Sequence, residues 1–476
     1  MTVSVREQSR LHRSCGPLVQ SHPGKSGIFA LPDGLDAFAA RVLLAGAAEH
    51  TLDVQYYIWH HDMSGALLFE ALHRAADRGV RVRLLLDDNN TSGLDATIAA
   101  FDAHPNMEVR LFNAFQWRRW RLLSYVTDFG RLNRRMHNKS FTADGQATII
   151  GGRNVGDEYF GAGQEISFMD LDVLAVGPVV EDVTADFERY WTSASATRAT
   201  QVVGTAPETA IADLTAASHR VEHDPVGVKY IHALGNAPFL RDLIDGKLQL
   251  EWTDVHMVSD DPAKGLGLAR DSQLLWSQLK EVIKTPVSEL LLVSPYFVPG
   301  KQGVAEFTAL ARAGVEITVL TNALEATDVP AVHAGYAKRR KPLLAAGIKL
   351  FELKRLSGGR SARGSGLMGS SSSSLHAKTF AVDRERVFVG SFNFDPRSAR
   401  LNTEMGFVIE SPTLAQAIAV AFARRIPERA YRVGLTSSGA LQWSNDGQRF
   451  DQEPGTGLVK RLAVRVLALL PIEWLL

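Results

Sequence analysis

Two patterns in the 476-residue chain set imidazole, ammonium, carboxylate and amide side chains at matching intervals. The first runs His137, Lys139, Asp144, then Gly151-Gly152-Arg153-Asn154; the second runs His376, Lys378, Asp383, then Gly390-Ser391-Phe392-Asn393. In both, the lysine follows the histidine by two positions, the aspartate by seven, the glycine by fourteen and the asparagine by seventeen. One His-x-Lys is noise, but a four-part pattern repeated at one spacing is a strong signal. Two lysines and two asparagines bring charge and donors to the non-bridging oxygens of a phosphodiester. One neutral histidine can attack phosphorus while the other, protonated, donates to the leaving oxygen. The lysines supply the charge a metal would, so no metal and no cofactor is expected.

The flanking residues say what holds these groups. Apolar neighbours (MHNKSFTA, LHAKTFAV) mark strands, on which positions i and i+2 face the same way. His137 and Lys139 therefore point into one space, as do His376 and Lys378. Asp144 and Asp383 begin turns (ADGQA, VDRER) and are expected to hold the loop rather than to carry protons. A second strand (TIIGG, VFVGS) ends in the Gly-x-x-Asn segments, so Asn154, Ser391 and Asn393 are the candidate phosphate-binding groups. Upstream, strands at 52–59 and 80–87 enclose a helix at 65–78, and strands at 290–298 and 315–321 enclose a helix at 303–313. Both helices end on a glycine before an apolar strand (AADRGVRVRLLLD, LARAGVEITVLTN). The chain reads as an internal duplication. Its parts are an irregular arm over 1–35, a first half over 36–200 with its motif at 131–158, and a connecting segment over 201–249. A second half follows over 250–430 with its motif at 370–397, then a tail over 431–476. A pseudo-two-fold axis would bring both His/Lys pairs to one cleft. Residues 357–374 are low-complexity and read as a mobile loop.

Composition narrows the class. Hydrophobic residues make up 45% and charged residues 22%, which excludes a mainly disordered or fibrous chain. Lys+Arg and Asp+Glu both number 52, so the basic excess expected of a protein that coats nucleic acid is missing. The single cysteine, Cys15, excludes an internal disulfide framework. No segment reads as a transmembrane helix or a secretory signal. His60-His61-Asp62 reads as a solvated turn rather than a metal site, and His333 as a histidine of a polar surface loop.

The repeated pattern resembles the signature of the phospholipase D superfamily, from about residue 36 to 430. Phrases such as LDVQYYIWHHD, GGRNVGDEYF and LLVSPYFVPG are similar to bacterial cardiolipin synthases, in the branch without N-terminal transmembrane helices. The resemblance implies an α/β fold of two duplicated halves, each a mixed sheet flanked by helices, with the active site between them. It implies a phosphohistidine intermediate, with His137 as nucleophile and His376 as general acid, the reverse assignment remaining open. It also implies an acid that orients each histidine; Asp170 and Glu404 stand at the matching positions. Gly152, where the second copy has Ser391, is a departure that removes one hydroxyl. The activity implied is phosphatidyl transfer that makes cardiolipin from phosphatidylglycerol plus phosphatidylglycerol or phosphatidylethanolamine. The alternatives are phospholipase D hydrolysis and, less favoured, a metal-independent nuclease.

Three features lean toward lipid. Residues 115–135 interleave six arginines with Phe, Trp and Tyr, and 331–364 are basic. Residues 458–470 (LVKRLAVRVLALL) alternate apolar and arginine faces, so the segment either lies in a lipid interface or caps a core. The expected partners are anionic phospholipids and a membrane surface, with peripheral attachment on the cytoplasmic side of the cell membrane or a cytoplasmic location. A helper protein stays open.

Overall fold

The computed structural model describes residues 9–355 and 375–476, apart from 163–168, 208, 237–238, 240–241, 243–247 and 471–472. The low-complexity stretch at 357–374 therefore lies outside the described residues.

Among the described residues, nine strands form the first sheet: β1 (Ser26–Leu31), β2 (Thr51–Tyr56), β3 (Arg81–Asp87), β4 (Met107–Phe112), β5 (Ser140–Ala143), β6 (Ala147–Gly151), β7 (Asp172–Val176), β8 (Ala196–Arg198) and β9 (Glu251–Thr253). Ten form the second: β10 (Val255–Ser259), β11 (Glu289–Val293), β12 (Glu316–Asn322), β13 (Lys349–Leu353), β14 (Thr379–Val382), β15 (Arg386–Gly390), β16 (Met405–Ile409), β17 (Ala430–Leu435), β18 (Leu441–Asn445) and β19 (Gln448–Phe450). The centre of the first sheet is ordered β4-β3-β2-β5-β6-β7, and that of the second β13-β12-β11-β14-β15-β16. In each, three parallel strands precede an antiparallel hairpin and one further antiparallel strand. The duplication is thus one six-strand design used twice, with helices on the crossovers.

Local chemistry sets these elements. The helices Met63–Asp77 and Gly300–Arg312 both end before a glycine of positive φ, Gly79 at 93° and Gly314 at 98°, which turns the chain into the next strand. β2, β6, β14 and β15 are buried along their whole length, because both faces of the sheet are covered. The two sheets share a core in which Ile150, Val173 and Ala175 pack with Val387, Val389, Phe407 and Ile409.

Three segments differ from the sequence reading. The expected arm over 1–35 contains the helix Arg10–Gln20 and β1, which pairs with β7. The expected tail supplies β17, β18 and β19 to the second sheet before its helix begins. β9, which lies in the expected second half, pairs with β1 in the first sheet. At three residues each, β9 and β19 are too short to show a period of their own.

Candidate active site

Each His-x-Lys lies just before a hairpin strand, and the backbone of each is bonded to the opposite half. The His137 N–H donates to the Thr403 carbonyl (2.9 Å), and the His376 N–H to the Met169 carbonyl (3.0 Å). Isolated bridges pair Met136 with Thr403 and Met169 with Leu375. The two histidines, which the sequence separates by more than two hundred positions, line one cavity of about 400 Å³.

The orienting acids cross over. Glu404, after the second motif, lies 2.8 Å from Nδ1 of His137 in the first; Asp170, after the first motif, lies 2.6 Å from Nδ1 of His376 in the second. Each imidazole is thus oriented through its Nδ1 by an acid of the opposite half. Ser391 and Gly152 explain why one acid is longer. The Ser391 hydroxyl donates to Glu404 Oε2 (2.5 Å) and accepts from the Met405 N–H. At Gly152 a Cβ would sit 2.1 Å from Asp170 Oδ1, so the carboxylate occupies the space a side chain would need.

The electrostatics of the two pairs differ. Burial lowers the pKa of both histidines, helped by the two lysines: His376 falls to about 4, and His137 falls well below its ordinary value. Burial raises Glu404 to about 7 against the pull of Lys139. Burial also works on Asp170, but His376, Lys378 and Arg153 outweigh it and hold that carboxyl far below the usual range. Lys139 and Lys378 are both lowered, first by burial. Each ammonium donates to the carbonyl of its own histidine. Lys378 lines the cavity, whereas Lys139 stands behind it, 5.6 Å from the Tyr57 ring centre.

The remaining candidates separate into two groups. Asn154 and Asn393 line the cavity; Asn154 Oδ1 accepts from the Ile58 N–H (3.2 Å), and Asn393 Oδ1 is buried with no partner among the described residues. Ser391 is not a wall residue: it is turned onto Glu404, which corrects its reading as a phosphate ligand. Asp144 and Asp383 lie outside the cavity. At φ 52° and 54°, their carboxylates accept the N–H groups of 49–51 and of 287–289, tying each hairpin turn to the loop before the central strand. They anchor the turns.

Several wall residues carry no sequence signal of their own. Tyr57 packs edge-on against His137 at 4.9 Å and Tyr159 against His376 at 5.1 Å. Arg397 lines the cavity and donates to Asn133 and to the Leu475 carbonyl. It stands four residues after Asn393, where the first copy has Glu158, so the repeat spacing could have flagged the position but not its role. Leu475 and Leu476 complete the wall, and Leu476 packs with Val298 and Val332.

His333 is not a surface-loop residue. It is buried on the helix Pro330–Ala337, 2.6 Å from Arg340 and 3.3 Å from Glu453. Asp62 caps the helix Met63–Asp77 through the Gly65 N–H, and His60 lies 3.2 Å from Glu158. The 115–135 segment is also differently arranged. Arg118 and Arg135 are turned inward onto Asp88, Asp95 and Asp87, while Trp120, Leu122 and Val126 are exposed.

A family model described as "Cardiolipin synthase, PLD-like domain" matches residues 43–191 and 279–426. The chain is 51% identical to cardiolipin synthase C of Escherichia coli K12 over 98% of this chain and 100% of that relative. It is 26% identical to a cardiolipin synthase of Listeria monocytogenes, over 82% of this chain and 67% of that one. Among solved structures, a phosphatidylserine synthase of Haemophilus influenzae superposes with a TM-score of 0.59 at 13% identity, covering 96% of this chain and 98% of that one.

Proposed function

Because this chain belongs to the phospholipase D-like cardiolipin synthases, we propose that its cavity transfers a phosphatidyl group between phospholipids through a phosphohistidine. It is a phosphatidyltransferase enzyme, and the product is cardiolipin, made from phosphatidylglycerol plus phosphatidylglycerol or phosphatidylethanolamine. The observation that supports the mechanism is the crossed pair of His–carboxylate contacts facing one cavity.

His137 Nε2 attacks the phosphorus of the donor lipid, and the bond from phosphorus to the headgroup alcohol breaks. His376, protonated, gives its proton to the leaving oxygen. The phosphodiester anion raises the pKa of both imidazoles when it binds beside them. His376, beside the ionised Asp170, is the better held as a cation, so it is the acid. In the second half-reaction neutral His376 takes the proton from a phosphatidylglycerol hydroxyl, whose oxygen attacks phosphorus and releases His137. Lys378, Asn154 and Asn393 carry the charge on the non-bridging oxygens. Lys139 acts from behind, on the His137 carbonyl and on Glu404.

The lipid substrates imply work at a bilayer surface. Among the described residues no helix is long and apolar enough to cross a membrane. Two exposed apolar patches support peripheral docking on the cytoplasmic face, Trp120–Val126 and one face of the helix Leu458–Leu469. Val464 on that helix is buried while Leu458, Leu462, Val466 and Leu469 are exposed, so the segment both caps a core and presents an apolar stripe.

The test is the purified protein with defined phospholipids and mass-spectrometric product analysis. Cardiolipin with release of glycerol or ethanolamine is the expected result. Phosphatidic acid as the main product would replace transfer with hydrolysis.

A further inference from the structure

A second cavity, of about 590 Å³, lies between residues 337–341, β18 and the helix Leu458–Leu469. Its walls combine apolar Leu441, Trp443 and Val464 with basic Lys341, Arg461 and Arg465. Other charges at this place are already matched: Arg340 pairs with Glu352 and Glu453, and Lys338 with Glu473. Lys341, Arg461 and Arg465 have no ion-pair partner among the described residues; of the acids in the wall, Asp451 accepts from Gln442 and Glu453 is held by Arg340. The cavity is therefore a cationic recess with an apolar floor. Its rim continues into the exposed stripe of the same helix, since Leu469 lines the cavity and is itself 86% exposed.

A free anion would leave the apolar floor wet, and a neutral lipid would leave three cations unmatched. We propose that this recess is an accessory site, separate from the reaction cavity, for the phosphate headgroup of one anionic phospholipid whose chains lie along the Leu458–Leu469 stripe. The inference rests on the reading that this helix docks on a membrane. Guanidinium and ammonium groups at such a place bind phosphate by charge-assisted hydrogen bonds, and each is worth about 1 kcal/mol near an anionic surface. The site would hold the enzyme where lipids of its own substrate and product class are concentrated.

The experiment uses the full chain and the double variant Lys341→Ala/Arg465→Ala, both positions being exposed. Flotation is measured with phosphatidylcholine vesicles, with and without phosphatidylglycerol, beside a thermal melt. Turnover of short-chain phosphatidylglycerol dispersed as monomers is measured in parallel. Removing two cations should weaken binding to the anionic vesicles about thirtyfold while the melt and the monomer turnover stay as in the unaltered protein. Equal flotation of the variant and the unaltered protein overturns the accessory site. Inorganic phosphate that protects the unaltered protein in the melt but not the double variant, with equal flotation of both, would make the recess a free-anion site instead. If the unaltered protein does not float with anionic vesicles at all, membrane docking fails first and the site with it.

Discussion

The two halves of the site share a spacing and differ in charge. In one pair, His137 faces a glutamate held by a serine hydroxyl and raised to about 7. In the other, His376 faces an aspartate that fills the space over a glycine and stays ionised. Each acid is seated on its own half and orients the histidine of the other. The longer acid goes with serine and the shorter one with glycine, so the two differences compensate within each half. The duplication thus preserves positions while assigning unequal roles: a neutral imidazole to attack, and a cation-holding imidazole to donate.

Breaking the histidines tests that inequality most severely. His137→Ala should remove all measurable turnover and all phosphohistidine, read by phosphoamino-acid analysis. His376→Ala should slow turnover about 10²–10⁴-fold, the range for a general acid or base, and leave phosphorus trapped on His137. Phosphorus recovered on the His137→Ala protein would exchange the two roles. The lysines come next. Lys378→Ala should lower kcat on the order of a hundredfold, as loss of an oxyanion donor does. Lys139→Ala, acting only through the backbone and Glu404, should cost less; an equal loss would make the two lysines equivalent.

Much of this was legible in the sequence because the chemistry is local. His-x-Lys on a strand, an aspartate at a turn and a glycine-led strand end are decided within a few residues, so the motifs and the two-fold design were readable. The crossing of Asp170 and Glu404 was not, since nothing near either acid records which half its carboxylate reaches. Arg397 and Leu476 were hidden for the same reason. The inward turn of Arg118 and Arg135 was hidden as well, because composition gives the number of arginines but not the buried partners Asp87 and Asp88.

Exchanging the small residues sharpens the comparison at moderate cost. Gly152→Ser forces a Cβ against Asp170 and should cost about 1–3 kcal/mol of stability together with activity. Ser391→Ala leaves the backbone unstrained but takes a donor from the buried Glu404, costing about 1–3 kcal/mol. Kinetics and denaturant melts of both proteins separate a displaced acid from an undersupplied one.

The smallest expected effect is the slope of stability with pH. Glu404 is raised to about 7 from an unfolded value of 4.5, so the folded chain keeps a proton the unfolded chain has lost; the stability this contributes is full below 4.5 and lost as pH rises through 7. Asp170 is depressed from 3.8, so its contribution is present above that value and lost only on acidification. The melting difference between the unaltered protein and Glu404→Gln should therefore shrink from pH 4.5 to 7, and that for Asp170→Asn should stay level above pH 5. Parallel slopes would mean the two acids are alike.

The main-chain bonds that tie His137 to Thr403 and His376 to Met169 have a mechanical consequence. Two lobes laced together under their own reaction chamber must break these bonds to gape like a clamshell for a lipid with two tails. A lipid must enter over the rim, which Leu475 and Leu476 line and where Arg397 holds the carbonyls of both. The enzyme is built like a mortar rather than a jaw: the bowl is fixed, and the lip decides what enters.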